Sequence, residues 1–139
     1  MIYTIYDLDT GLIVSRVRNS NQILNRPHVA GNWNPDRYRI VRGQPVPLPA
    51  RPRAQSHVMF TFDAKHDQWT VDIPRTIDAA RAQRNQYLAL VDRMNPAWWQ
   101  NLSPAQQSEF EAYRQALLDI SKQPDWPVEI DWPAAPDWL

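Results

Sequence analysis

The chain has 139 residues, a formal net charge of zero and no cysteine. This length fits one domain, or a small domain with an appendage, and is sufficient for a buried core. The absence of thiols excludes disulfides and thiolate metal sites, and no apolar run approaches the ~20 residues of a membrane span, so we expect no membrane partner.

The zero net charge hides a difference between the two parts of the chain. Residues 1–55 hold eight arginines and three aspartates, whereas residues 56–139 hold seven basic and twelve acidic side chains. Planar guanidinium groups can bind carboxylates or phosphates. No nucleic-acid-binding motif accompanies these arginines. We therefore expect them to meet solvent or the acidic part of the chain, in the same copy or by self-association, and we expect no nucleic acid partner.

Residues 1–74 predict an antiparallel β region of three hairpins. In the first, runs of β-branched and aromatic residues flank a turn that ends at Gly11, which can supply a positive φ. The second hairpin turns at residues 42–44. The third has its strands at residues 56–62 and 68–72.

Two stretches of this region depart from the hairpin pattern. The prolines of residues 45–55 confine the return strand of the second hairpin to a sheet edge or to polyproline II, and they predict a stiff linker that carries Arg51 and Arg53. Between the first two hairpins we expect one turn of helix at residues 19–24 and a loop at residues 27–35.

Residues 75–123 predict a helical hairpin. Strong helix formers run from Thr76 to Met94, and we take Thr76 as the start of the first helix. Ser103, followed by proline and then by Gln106, has the form of a capping box, and it opens a second helix that ends near Lys122.

One charged residue falls inside the apolar seam between these two helices. Helices joined by a short connection pack antiparallel, and their apolar stripes then place Arg84 level with Tyr113. We expect Arg84 to stack on Tyr113 and to bind either Asp92 or Asp119, which would fix the register of the hairpin.

Residues 124–139 contain three Asp-Trp pairs at a six-residue step, with prolines among them. Proline at this density forbids a helix, so we expect an extended or polyproline II segment. Side chains return to the same side every two residues in a strand and every three in polyproline II, and six is a multiple of both. The three indoles would therefore point to one side, about 19–20 Å apart. The candidate partner-binding residues are these pairs and two tryptophans of the short turn between the helices: Asp125, Trp126, Asp131, Trp132, Asp137, Trp138, Trp98 and Trp99.

Two interpretations of these tryptophans stay open at this stage. Each indole can bury some 150–250 Å² against the surface of a partner, and the interleaved prolines lower the entropy lost on docking. The same indoles can instead cover the chain's own sheet and helices. Because Trp98 and Trp99 are adjacent on a short turn, we expect one of them to be exposed.

Patterns for catalysis, cofactors and metals are weak. Residues 63–67 include a histidine between two aspartates, but a hairpin turn favours the same residue types. With three glycines in the whole chain, we find no phosphate-binding loop and no nucleophile elbow. We therefore expect a protein that is not an enzyme and that has no cofactor and no metal.

Three motifs in order resemble the bacteriophage tail assembly chaperone family, small proteins often encoded beside tail-fibre genes. They are residues 80–88 (ARAQRNQYL), residues 113–120 (YRQALLDI) and residues 127–133 (PVEIDWP). The chain departs from the family pattern at Arg93, where tryptophan is common, and at Leu118, where arginine is usual.

This resemblance implies a non-enzymatic viral protein that helps a tail or tail-fibre protein to fold, or keeps it soluble, in the host cytoplasm. The alternative is a resident structural protein of the virion, at the tail tip, the baseplate or the fibre attachment. With the β region first and the helices after it, we expect an α+β fold with three segments: residues 1–74, 75–123 and 124–139.

Overall fold

A computed structural model describes residues 1–19, 21 and 25–139 and shows an α+β protein, which confirms the predicted fold class. The chain divides into two compact units. The first comprises Met1–Pro52 and Thr61–Thr70, and the second comprises Arg53–Phe60 and Val71–Leu139. The helical turn predicted at residues 19–24 falls mainly on positions outside the described residues.

A three-stranded antiparallel sheet begins the first unit, in the order β2-β1-β3. Its strands are β1 (Tyr3–Tyr6), β2 (Ile13–Val17) and β3 (His28–Ala30). β1 and β2 form the first predicted hairpin. Gly11 in its turn has φ +73°, and a Cβ there would collide with the carbonyl oxygen of Ile40.

Strand β3 lies where the sequence predicts only a loop. It pairs with the free edge of β1, with Thr4 opposite Val29. The Thr4 hydroxyl strengthens this connection, because it donates to the carbonyl of Gly31 and accepts from the backbone N–H of Trp33. Pairing with an existing strand therefore decides the conformation of three residues that have no strong strand pattern of their own.

The second hairpin has strands β4 (Tyr38–Val41) and β5 (Gln44–Pro47). Arg42 and Gly43 join them, both with positive φ, as a tight two-residue turn requires. Beyond β5 the chain packs on Trp69, whose Nε1 donates to the carbonyl of Pro49 and whose ring lies 4.7 Å from the Arg51 guanidinium carbon. The third hairpin joins β6 (Phe60–Asp63) to β7 (Gln68–Val71).

The second unit contains α1 (Ile73–Val91), α2 (Pro96–Gln100) and α3 (Pro104–Leu118), followed by a 3-10 turn. Helix α1 begins before Thr76, so the predicted start is wrong. The Asp72 side chain caps the helix by accepting from the backbone N–H of Arg75. Thr76 is instead a buried helical residue, and its hydroxyl accepts from the backbone N–H of Met59.

Helix α3 begins with the capping box at Ser103. The Ser103 Oγ accepts from the backbone N–H of Gln106, and the Gln106 side chain accepts from the backbone N–H of Ser103. The second unit contains two clusters of buried hydrophobic residues. They are Val91, Phe110, Tyr113 and Leu117 in one cluster, and Ala80, Ile120 and Ile130 in the other.

The C-terminal segment contains neither helix nor strand, but it is not one straight ribbon. Turns occupy residues 124–128, where the carbonyl of Asp125 accepts from the backbone N–H groups of Val128 and Glu129. The six-residue step therefore does not translate into a uniform row of indoles. In the described part of the chain, no helix is long and apolar enough to cross a membrane.

Candidate partner-binding site

The tryptophans of the C-terminal segment pack on the helical unit of their own chain. Trp126 and Trp132 lie against the cluster that contains Ala80, Ile120 and Ile130. The Trp132 ring also meets the Tyr87 ring edge-on, with their centroids 5.6 Å apart. Of the two interpretations left open by the sequence, the structure supports the one in which these indoles cover the chain's own core.

The other three candidate tryptophans, Trp98, Trp99 and Trp138, lie at the opposite end of the helical hairpin. Trp98 and Trp99 both meet the Phe110 ring edge-on, at centroid distances of 5.3 and 5.4 Å. Both are half-buried, so the expectation that one of them is exposed is wrong. Trp138 lies 6.2 Å from Trp98 between ring centroids, and its Nε1 donates to the Glu109 carboxylate at 2.7 Å.

Two glutamines hold the C-terminal segment in place. Gln55 donates to the carbonyl of Ile130 at 2.8 Å and accepts from its backbone N–H at 2.7 Å. Gln123 makes the same pair of bonds with Asp131, each at 2.8 Å. A side-chain amide has one donor side and one acceptor side, so each glutamine replaces the backbone of a neighbouring strand.

A buried histidine adds a third attachment. His57 is 3% exposed, and its Nε2 lies 2.8 Å from the carbonyl of Pro127. Because a carbonyl only accepts, Nε2 carries the proton. The opposite nitrogen, Nδ1, is buried without a hydrogen-bond partner among the described residues. Sequence reasoning missed Gln55, His57 and Gln123 as anchors, since no local pattern marks them.

The three aspartates of the Asp-Trp pairs remain on the surface. Asp125, Asp131 and Asp137 are exposed, and none of their carboxylates forms an ion pair within the described residues. They are therefore accessible to a partner, and their role in binding one stays a prediction.

The predicted contacts of Arg84 differ from those in the structure. Its Nε and Nη2 both donate to Oδ1 of the neighbouring Asn85, at 3.2 and 3.1 Å. Asp92 pairs with Arg114, and Asp119 pairs with Lys122. The expected bond from Arg84 to Asp92 or Asp119 is thus wrong, since each of these carboxylates pairs with another cation. A role for Arg84 in fixing the helix register stays a prediction.

An apolar groove of about 600 Å³ opens between the end of α1, the middle of α3 and the C-terminal segment. Leu90 is 57% exposed beside it, and Met94 and Leu139 are exposed as well. The lining contains one charged side chain, that of Arg93. The complete lining is Tyr87, Leu90, Val91, Arg93, Met94, Tyr113, Trp132, Pro133, Ala135 and Leu139.

A second groove of about 370 Å³ continues the first. The two share Val91 and Met94, and the second adds the rings of Trp98, Trp99 and Phe110. The end of α1 therefore lies between two apolar depressions.

Two tyrosines, Tyr87 and Tyr113, line the larger groove. Tyr87 accepts a hydrogen bond from Gln83 at 3.2 Å. Burial, and to a lesser extent the proximity of Tyr87, raises the pKa of the Tyr113 phenol above its ordinary value. The Tyr113 phenol thus stays protonated and uncharged at neutral pH.

The side chains that line the groove are mostly apolar. Its lining includes no aspartate, glutamate, histidine, serine or cysteine side chain. Among the described residues, no group of three or more histidines, aspartates and glutamates is placed to hold a metal ion. What the arrangement offers a partner is exposed apolar surface with a single positive charge.

Comparison with known proteins gives a family match for most of the residues of this surface. Residues 77–137 match the sequence model of a family described as phage tail assembly chaperone protein. No curated protein and no solved structure matches the chain. The matched residues include the three motifs of the sequence and nearly all of both grooves. Residues 77–137 therefore resemble the phage tail assembly chaperone family, which supports a role in the assembly of phage tails.

Proposed function

We propose that the protein is a non-enzymatic chaperone that binds a tail or tail-fibre protein, the client, in the host cytoplasm during assembly. The observation that carries this proposal is the apolar groove in the family-matched region, with Leu90, Met94 and Leu139 exposed around it. A contiguous apolar surface of this kind marks a site for a partner more often than a lone exposed side chain does.

The C-terminal segment has a different part in this proposal from the one the sequence predicts. Trp126 and Trp132 are committed to the chain's own core, so they do not serve as a free adhesive arm. Trp132, Pro133 and Ala135 instead form one wall of the groove. Gln55, acting through Ile130, and Gln123 fix that wall before a client arrives, which lowers the entropy lost on binding.

The client takes the place of water on this surface. An assembly chaperone has to release its client, so it needs a site of moderate area rather than a large permanent interface. Half-buried Trp98, Trp99 and Trp138 extend the apolar surface beside the second groove, and the carboxylates of Asp125, Asp131 and Asp137 are available to basic groups of the client.

Site-specific photo-crosslinking tests this proposal. A photoreactive amino acid at Leu90 is expected to form a covalent adduct with a tail or tail-fibre protein in cells that produce the phage's tail proteins. The matched control places the same amino acid at Leu8, which is 73% exposed and lies in the first unit. Mass spectrometry of the crosslinked bands identifies the attached protein.

The control decides how the result is interpreted. An adduct at residue 90 that is missing at residue 8 supports a client in the groove. Equal labelling at both positions, or no tail protein at residue 90, contradicts the proposal. A crosslink to a tail protein that forms when purified particles are irradiated would assign the protein to the virion as a structural component.

A further inference from the structure

We propose that the groove binds an amphipathic α-helix of the client, and that a carboxylate beside the apolar residues of this helix pairs with Arg93. The inference rests on the proposed function, because it specifies the client segment that the chaperone binds. It follows from the volume of the groove, from the hydrogen-bonding groups along its walls and from its charge.

The volume fits several large side chains from one helix face. A cavity of roughly 150 Å³ holds one benzene-sized group. The groove of about 600 Å³ therefore accepts approximately three or four such groups. One face of a helix presents them at positions i, i+3, i+4 and i+7.

The walls favour a segment that satisfies its own backbone. An extended segment would bury N–H and C=O groups that need partners, and a strand partner would require a free backbone edge. In the C-terminal wall, Pro133 has no N–H to donate. The two residues that precede this wall, Ile130 and Asp131, already have their backbone groups bonded to Gln55 and Gln123. A helix closes its backbone bonds internally, so it can enter an apolar groove without this cost.

The positive charge of Arg93 favours a helix that has acidic residues beside its apolar face. Arg93 is exposed and forms no ion pair within the described residues. The adjacent Asp92 is paired with Arg114, at 3.0 Å, and does not neutralise it. A helix that carries aspartate or glutamate beside its apolar face gains a charge pair here, whereas a basic helix meets repulsion.

Three labelled peptides of about 20 residues test the inference with the full-length protein. The first is an acidic amphipathic helix with leucine at i, i+3, i+4 and i+7. In the second, every glutamate of the first peptide becomes lysine. The third is the first peptide with a central proline, which prevents the helix. Fluorescence anisotropy at fixed low salt gives each dissociation constant.

The acidic helix is expected to bind at least ~5-fold more tightly than the basic one and than the proline peptide. Arg93→Glu should reverse the preference between acidic and basic peptides, whereas Arg93→Lys should keep it. Leu90→Asp should abolish binding, and the matched Leu8→Asp should leave it unchanged. Circular dichroism checks that the variants keep the wild-type fold.

Three results would overturn the inference. If the acidic and basic peptides bind equally, Arg93 does not pair with a carboxylate of the client. If the proline peptide binds as tightly as the acidic helix, the groove does not require a helix. If the protein sediments as a dimer that Leu90→Asp converts to a monomer, the occupant is a second copy of this chain. A crosslink from residue 90 to a tail protein, together with equal binding of all three peptides, would support the proposed function. It would contradict only the inference that the client segment is a helix.

Discussion

At the scale of single residues, the C-terminal segment depends on side chains that imitate a backbone. Gln55 and Gln123 bind consecutive residues, Ile130 and Asp131, each through one donor and one acceptor. Ile130 is 2% exposed, whereas Asp131 is exposed. The bonds from Gln55 therefore satisfy buried backbone groups of Ile130, whereas the bonds from Gln123 satisfy backbone groups of Asp131 that water can reach.

This difference gives a prediction for two matched substitutions. Gln55→Ala should lower the free energy of unfolding by about 1–3 kcal/mol, because it leaves the buried backbone N–H and C=O of Ile130 without partners. Gln123→Ala should cost less than about 1 kcal/mol, because water replaces the amide at Asp131. Urea unfolding measures both values, and equal losses would contradict the proposed difference in solvent access.

The sequence gives little sign of these residue roles. Gln55 lies in a proline- and arginine-rich stretch and binds a residue 75 positions away. A glutamine in such a stretch is ordinary, so no spacing rule identifies its partner. For Arg84 the error is the reverse, because the sequence predicts a distant partner where the structure has a local one. The position of Arg84 in the apolar seam suggests a bond to a distant carboxylate, but its guanidinium binds the adjacent Asn85.

At the scale of elements, the sequence predicts best the features with local causes. The capping box at Ser103 and the positive φ of Gly11 depend on neighbouring residues, and both are present in the structure. Strand β3, in contrast, forms because it pairs with the free edge of β1. Helix α1 starts earlier than predicted because Asp72, and not Thr76, caps it. The packing of the C-terminal segment depends on contacts far away in sequence, so its composition left two interpretations open.

This packing makes the C-terminal segment an element of the core, which a substitution at Ile130 tests. Ile130→Ala should destabilise the protein by about 2–4 kcal/mol, because it leaves a cavity next to Ala80 and Ile120. Val128, two residues earlier, is 38% exposed, and Val128→Ala should change stability by less than about 0.5 kcal/mol. Thermal unfolding compares the two, and a small loss at Ile130 would show that the segment detaches readily from the helices.

At the scale of the whole molecule, the family match falls entirely within the second unit. It runs from residue 77, inside α1, to residue 137, and it includes α2, α3 and the C-terminal segment. Arg53–Phe60 belongs to the same unit but lies outside the match, although it supplies Gln55 and His57 as anchors. The groove thus combines residues of the family-matched region with a support that comes from elsewhere in the chain.

The central claim is that the protein acts during tail assembly and then leaves its client. Quantitative mass spectrometry of infected-cell lysate and of purified phage particles tests this claim most directly, by counting copies of the chain in each. We predict that the protein is abundant in the lysate and absent from the particles. A fixed number of copies per particle would contradict the claim and would make the protein a structural component of the virion.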